Sequence, residues 1–216
     1  MELFGWSFSE QTLFFLFILG IAILMLVFSR NRKYNIQTIA AIGKELESAL
    51  RPNDQTYTWL GGSVGFKAEY QTPKPLRKAE ATVTMLSRQS LLFYPISKIM
   101  FGHDRLFVVL YPIEKFRREA HLLERRYYTF RLRTLDNEAS FIRKTVELRG
   151  KTFDLFSSDQ AGIETLCAWL NALPDPTLVK HVAFTPENGS VYLYMTPHLT
   201  AIAPTITSLA ALTGKK

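Results

Sequence analysis

The stretch Ser9–Lys33, SEQTLFFLFILGIAILMLVFSRNRK, governs every later step, because it is a cleaved leader, a buried core helix or a membrane anchor. Nineteen uncharged residues lie between Glu10 and Arg30. As a helix they measure roughly 28 Å, close to the hydrocarbon thickness of a bilayer. A leader carries a basic n-region and small residues at its cleavage site. Here Glu2 and Glu10 precede the apolar run, no Lys or Arg does, and Trp6 falls at interface depth. A core helix needs cover around its whole circumference, and Leu13–Phe28 is apolar on every face at one end of the chain. The stretch is therefore expected to be a permanent transmembrane helix over residues 11–29, with residues 1–10 as an exoplasmic tail.

Arg30, Arg32 and Lys33 follow the span directly, against a basic-free N-terminal side. Excess Lys and Arg stays on the cytoplasmic side, so the expected topology is single-pass, N-out and C-in, with residues 30–216 in the cytosol. That length suits one compact domain with a real core. The membrane would be the plasma membrane in a prokaryote and the endoplasmic reticulum in a eukaryote.

Over 216 residues the formal charge is +7, and residues 11–29 contribute none of it. A soluble part this basic points to anionic lipid headgroups or nucleic acid as partners. Cys167 is the only cysteine, which excludes an internal disulfide and fits a reducing compartment. Its surroundings, ETLCAWL, are those of a buried, inert thiol in an apolar helix. Asn188-Gly189-Ser190 matches a glycosylation sequon but reads as a turn.

Beyond the basic stop, Ile36, Ile39, Ile42, Leu46 and Ala49 or Leu50 form a helical stripe ended by Pro52, predicting that the helix continues from the membrane onto the domain. In SVGFKAEYQ, Val64, Phe66, Ala68 and Tyr70 alternate with polar residues as in a half-buried strand, and AEATVTML is its partner. SRQSLLFYPISKIMFG predicts a helix capped by Ser87, stopped by Gly102 and kinked or divided by Pro95. DRLFVVLYP is a central strand, IEKFRREAHLLERR a charged amphipathic segment, and RYYTFRLRTL a strand alternating at Tyr128, Phe130 and Leu132. KTVELRGKTFDLFS predicts a strand pair turning at Arg149-Gly150, and DQAGIETLCAWLNAL a helix stopped by Pro174. LVKHVAFTPENGSVYLYMTP is the clearest hairpin signal. The closing segment from His198 is uncharged up to Gly214, but its threonines and Pro204 suit a helix packed on the sheet better than a second span. The expected fold is α+β: one N-terminal transmembrane helix, then a cytosolic domain with a mainly antiparallel sheet and segregated helices.

No catalytic constellation emerges. His103, His121, His181 and His198 lie in separate elements, without HExxH or a paired Cys, so neither a zinc site nor any other cofactor is expected. Gly61-Gly62-Ser63-Val64-Gly65 fits GxSxG but leads into a strand, whereas a nucleophile elbow needs strand, sharp turn and helix; a hydrolase built on Ser63 is thereby disfavoured. What stands out is charge. Lys115, Arg117, Arg118, Arg125, Arg126, Arg131 and Arg133 face only Glu119 and Glu124 within that run. Two accounts stand level: a solvated helix face with i,i+4 pairs, or a phosphate-binding face for nucleic acid or headgroups, which Arg77 and Lys78 would extend.

In sequence and order, the span with SRNRKYNIQTIAAIGKELESAL, then TMLSRQSLLFYPISKIMFGHDRLFVVLYP, KTFDLFSSDQAGIETLCAWLNAL, VKHVAFTPENGSVYLYMTP and a closing helix resemble the membrane-anchored core of the calumin family. That family is the coiled-coil subunit of the translocon-associated PAT complex. The strongest local match is Arg88-Gln89, then Leu91-Leu92, then Lys98, Met100 and Asp104. Against the family, this chain reads as a short homologue without the acidic lumenal region and the coiled-coil tail, and segment 113–148 has no counterpart. Lumenal calcium handling is therefore not implied. The resemblance implies a non-enzymatic accessory role in membrane-protein biogenesis. The expected partners are a small multispanning Asterix-like protein, the Sec translocon, the ribosome and nascent membrane proteins. The alternative is a membrane-surface module for anionic lipids.

Overall fold

The computed structural model of the chain describes residues 2–3, 6–7, 9–114, 116, 118–127, 135 and 138–213. Two short strands, β1 (Glu2–Leu3) and β2 (Trp6–Ser7), pair antiparallel ahead of the first helix. Ser9 starts that helix: its hydroxyl accepts the Thr12 amide at 3.2 Å, and Glu10 places a negative charge in the first turn, where the helix dipole favours it. α1 (Glu10–Leu50) then runs without a break for 41 residues. Its first half is exposed all round and long and apolar enough to cross a membrane. Its second half buries Asn35, Ile39, Ile42, Leu46 and Leu50 along one stripe. The helix stops where Arg51 turns left-handed at φ 44° and Pro52 removes the next amide donor.

The remaining elements are β3 (Asp54–Trp59), β4 (Gly65–Gln71), β5 (Leu76–Thr84), α2 (Phe93–Phe101), β6 (Arg105–Pro112), β7 (Ala120–Glu124), α3 (Arg125–Tyr127), β8 (Ile142–Leu148), β9 (Lys151–Ser157), α4 (Gln160–Ala172), β10 (Val179–Thr185), β11 (Ser190–Met195) and α5 (Leu199–Thr213). Among the described residues nine strands make one sheet in the order β3-β4-β5-β6-β11-β10-β7-β9-β8. Every neighbouring pair is antiparallel, and α1, α4 and α5 pack on one face of the sheet, giving an α+β fold. One hydrophobic cluster joins Ile42 and Leu46 of α1, Ile163 and Leu170 of α4 and Ile202 and Ile206 of α5 to the inward residues of the sheet. Trp169 of α4 donates its indole N–H to Ser208 of α5 at 2.9 Å.

Register defines two ends of the sheet. Ala79, Leu110, Val191, Phe184 and Ala120 lie in one row near one end, and Thr82, Phe107, Tyr194, His181 and Leu123 lie in another towards the opposite end. Asn35 sits at the second end, bonded to the carbonyl of Leu86 just beyond β5. β4 enters there at Gly65, where φ is 152° and a Cβ would meet the Val83 carbonyl oxygen at 1.8 Å, so only glycine admits this approach.

Several elements depart from the sequence pattern. Val64 is exposed in the turn before β4 and not part of the strand. β3 pairs with β4 along its whole length although every residue in it is exposed; only Tyr57 and Trp59 alternate with polar neighbours, too short a pattern to mark a strand. α2 begins at Phe93, not after Ser87. It is Ser90 whose hydroxyl accepts the Phe93 amide at 3.3 Å, and Pro95 lies in the first turn, where its missing donor costs no intrahelical bond. The charged segment 113–126 contains β7, a strand buried at all five positions between β10 and β9. Buried on both faces, such a strand reads as a continuous run, and charged flanks hide it. The strand expected across Tyr128, Phe130 and Leu132 lies outside the described residues. Arg149 (φ 49°) and Gly150 (φ 73°) form the expected two-residue turn of β8 and β9, with the doubly positive φ that matches strand twist. Asp159 caps α4 through the Gly162 amide at 2.7 Å, and Cys167 on that helix is half-buried, not fully enclosed. α5 packs on α1 as well as on the sheet.

Candidate functional site

The family-like motif falls where α1 leaves its apolar stretch. Asn35 occupies the same stripe as Ile39 and is 0% exposed. Its amide donates to the Leu86 carbonyl at 2.8 Å and the Ser63 carbonyl at 3.3 Å, with Gln89 Oε1 at 3.4 Å, and its Oδ1 accepts from Arg88 Nη1 at 3.2 Å. One turn nearer the apolar stretch, Asn31 donates to the Arg88 carbonyl at 2.9 Å. Arg88 closes a two-pronged pair with Asp104 at 2.9 and 2.7 Å, and Asp104 Oδ1 also accepts the Leu86 amide at 2.8 Å. Burial works against the Arg88 charge, but the hydrogen bonds and field of Asp104 outweigh it, so its pKa moves up. The Arg88 guanidinium also stands over the Tyr34 ring, 5.6 Å from its centre. Leu86 and Asp104, the two ends of the excursion between β5 and β6, are thus locked to each other and to α1.

The excursion carries α2, and none of its residues is buried. Tyr94, Ser97 and Phe101 are half-covered on one side. Leu92, Phe93 and Ile96 are exposed on the other side, Leu92 at 81%, and Ile99, 85% exposed, borders the cavity beside the sheet. This inverts the usual amphipathic arrangement, in which the apolar face is inward. Leu91 and Leu92 of the motif are both exposed on the approach to α2. Trp59, at the end of β3, is half exposed on the same end of the sheet.

Arg30, Arg32 and Lys33 are exposed on α1, on either side of Asn31. The basic residues expected to form one face are divided. Arg77 and Lys78 lie near the end of the sheet away from Asn35, with Lys78 paired to Glu80 at 2.7 Å and over the Tyr111 ring at 4.6 Å. Arg118, before β7, shares that end and pairs with Asp159 at 2.9 Å. Arg125 and Arg126 follow β7 at the opposite end. Arg125 holds the buried Asp154 at 2.9 and 2.7 Å, helped by Thr145 and Arg143. Burial alone would raise the Asp154 pKa, but hydrogen bonds from Arg125 and Thr145 win and lower it. Lys115, Arg117, Arg131 and Arg133 lie outside the described residues.

A half-open cavity of about 730 Å³ lies beside the face of the sheet opposite α1, α4 and α5, lined by Ile99, His103, Phe107, Glu124, Lys180 and Tyr194 among others. Phe107 stacks on Tyr194 at 4.7 Å, and the Tyr194 hydroxyl meets His103 Nε2 at 3.1 Å. Burial, with Lys180 and Lys151 nearby, holds the His103 pKa down to about 4. Lys180 pairs with Glu124 at 3.4 Å, and Lys151 is lowered to about 8 by burial and then by Lys180. No three His, Cys, Asp or Glu among the described residues are arranged to hold a metal. Ser63 is 2% exposed in a turn that continues into β4, and Asn35 holds its carbonyl; the strand-turn-helix geometry of a nucleophile elbow is not formed there.

Asn31 and Asn35 belong to no motif of the sequence, although one signal pointed to them. Stepping back by four from Ile39 along the buried stripe gives Asn35 and then Asn31, two amides where a core helix wants aliphatics. Compared with known proteins, the chain matches no family model, and no curated sequence matches it.

Proposed function

We propose that the protein is a non-enzymatic, membrane-anchored accessory factor of membrane-protein biogenesis. Residues 11–29 span the bilayer N-out and C-in, Arg30, Arg32 and Lys33 hold that topology, and residues 30–216 stand on the cytosolic side. There the domain scaffolds a small multispanning, Asterix-like chaperone or insertase partner beside the ribosome-bound Sec translocon and its nascent clients. The observation that carries this is the continuity of α1: the helix that is apolar enough to span is also a core helix of the domain, so the body is held at one fixed pose against the membrane. The calumin-like order of segments supplies the biological context, and its motif residues Arg88 and Gln89 belong to the clamp that fixes this pose.

The test is affinity purification of the full chain from native membranes. Ribosomal and Sec-channel proteins are expected to co-purify, with loss at high salt if arginine–phosphate contacts hold them. Recovery of the protein without either set overturns the proposal. A second role, binding anionic headgroups, is favoured by one specific observation: the run Ser87–His103 carries no carboxylate and an exposed Lys98, while its Arg88 is paired with Asp104. In that case the protein would sort with acidic lipid and ignore ribosomes.

A further inference from the structure

We infer that α2 is an in-plane membrane helix, seated in the headgroup and acyl boundary of the bilayer that α1 crosses. This rests on the proposal that residues 11–29 span. The chain leaving β5 climbs α1 towards the apolar stretch: Leu86 is held at Asn35 and Arg88 one turn higher at Asn31. Asn31 lies three residues past Phe28, the last apolar residue of the stretch, which is about 4.5 Å of helix rise. The two-pronged Arg88–Asp104 pair closes the base of the excursion, so α2 starts and ends within reach of the bilayer surface.

Its surface chemistry fits lipid. Leu92, Phe93, Ile96 and Ile99 form one exposed apolar arc, with Ile99 at the border of the cavity, while Tyr94, Ser97 and Phe101 are half-covered on the other side. The nine-residue helix is too short to span, and an apolar arc on such a helix is satisfied by lying flat with that arc among the acyl chains. The cations that would border it are Lys98, Arg105, which stacks over Phe101 at 4.2 Å, and Arg30, Arg32 and Lys33 of α1. Asp104, the carboxylate at the base, is already neutralised by Arg88. Trp59, on the same end of the sheet, supplies the aromatic that interfaces favour. A protein groove would also accept the arc, but the climb towards the apolar stretch and the one-signed rim favour the bilayer.

The experiment uses the full-length protein with Cys167→Ser, purified and reconstituted alone into phosphatidylcholine–phosphatidylglycerol vesicles. Single-cysteine variants Ile99→Cys, Ile23→Cys and Asn188→Cys carry an environment-sensitive fluorophore, read against spin-labelled lipids and an aqueous quencher. Supporting the inference, the Ile99 probe is quenched by lipid about as strongly as the Ile23 probe, and the Asn188 probe only by the aqueous quencher. If the Ile23 probe is in lipid while the Ile99 probe stays in water, the anchor stands and the in-plane helix is overturned in favour of a protein occupant. If the Ile23 probe is also in water, the span itself has failed and the inference falls with it.

Discussion

Asn35 is a fully buried amide in the stripe of a core helix, and its place is explained only by what it holds: the carbonyls of Leu86 and Ser63 and the Arg88 side chain. Replacing it with leucine keeps the branched shape and removes the amide, so the Ser63 carbonyl loses its donor, the Leu86 carbonyl keeps only the Arg88 amide, and the Arg88 guanidinium keeps only Asp104 as its hydrogen-bond partner. Asn35→Leu is expected to cost about 1–3 kcal/mol, measured by chemical denaturation in detergent, because a buried acceptor left alone loses its full hydration. At this scale the sequence was half legible. Ile39, Ile42 and Leu46 announced a buried stripe through their spacing, and Asn35 and Asn31 continued it, but an amide pattern alone does not say which carbonyls it meets. Arg88 and Asp104 stand sixteen residues apart, and their pairing depends on a fold-level encounter of the ends of β5 and β6.

At the level of elements, α1 combines two environments in one rod of roughly 60 Å. Native-state hydrogen exchange is expected to show the amides of residues 36–50 opening only with global unfolding, since Ile42 and Leu46 belong to the main core. Ile42→Ala should lower stability and that protection together, by about 2–5 kcal/mol. A drop in stability with protection already low in the wild type would mean a hinge between the apolar stretch and the domain. The hairpins β8–β9 and β10–β11 and the helix α4 were legible because turn and cap chemistry is local: Arg149-Gly150, the loop before Ser190, and Asp159. β7 was not, because His121 and Glu124 are buried there through partners supplied by other strands and loops. His121 packs edge-on to Phe141, and Glu124 pairs with Lys180. α2 was visible as an apolar stretch, yet periodicity gives the width of an apolar face and not the direction in which it points.

For the molecule as a whole, the antiparallel α+β class followed from strands without crossover helices, whereas the strand order did not. The return of β10 and β11 between β6 and β7 is a long-range choice that no local pattern records. Within the charge run, β7 crosses the sheet and leaves Arg118 at one end and Arg125 and Arg126 at the other, which is why a charge run in sequence did not become one face in space. The same topology buries histidines. His103, held at about 4, and His181, lowered to about 3 by burial and then by His121, stay neutral in the folded chain well below the ordinary value of 6.5. Between pH 6.5 and about 4 the unfolded chain binds protons that the native chain refuses, so stability is expected to fall as pH drops through that window. Thermal midpoints in detergent at pH 7.5 and pH 5 check this, and His181→Gln should flatten the slope. One last consequence belongs to the joint between rod and sheet, or rather to its absence. With no pivot between them, the body has no attitude of its own: if residues 11–29 span as proposed, whatever inclination or roll lipids impose on them the nine-stranded platform inherits, as a weathervane follows its spindle.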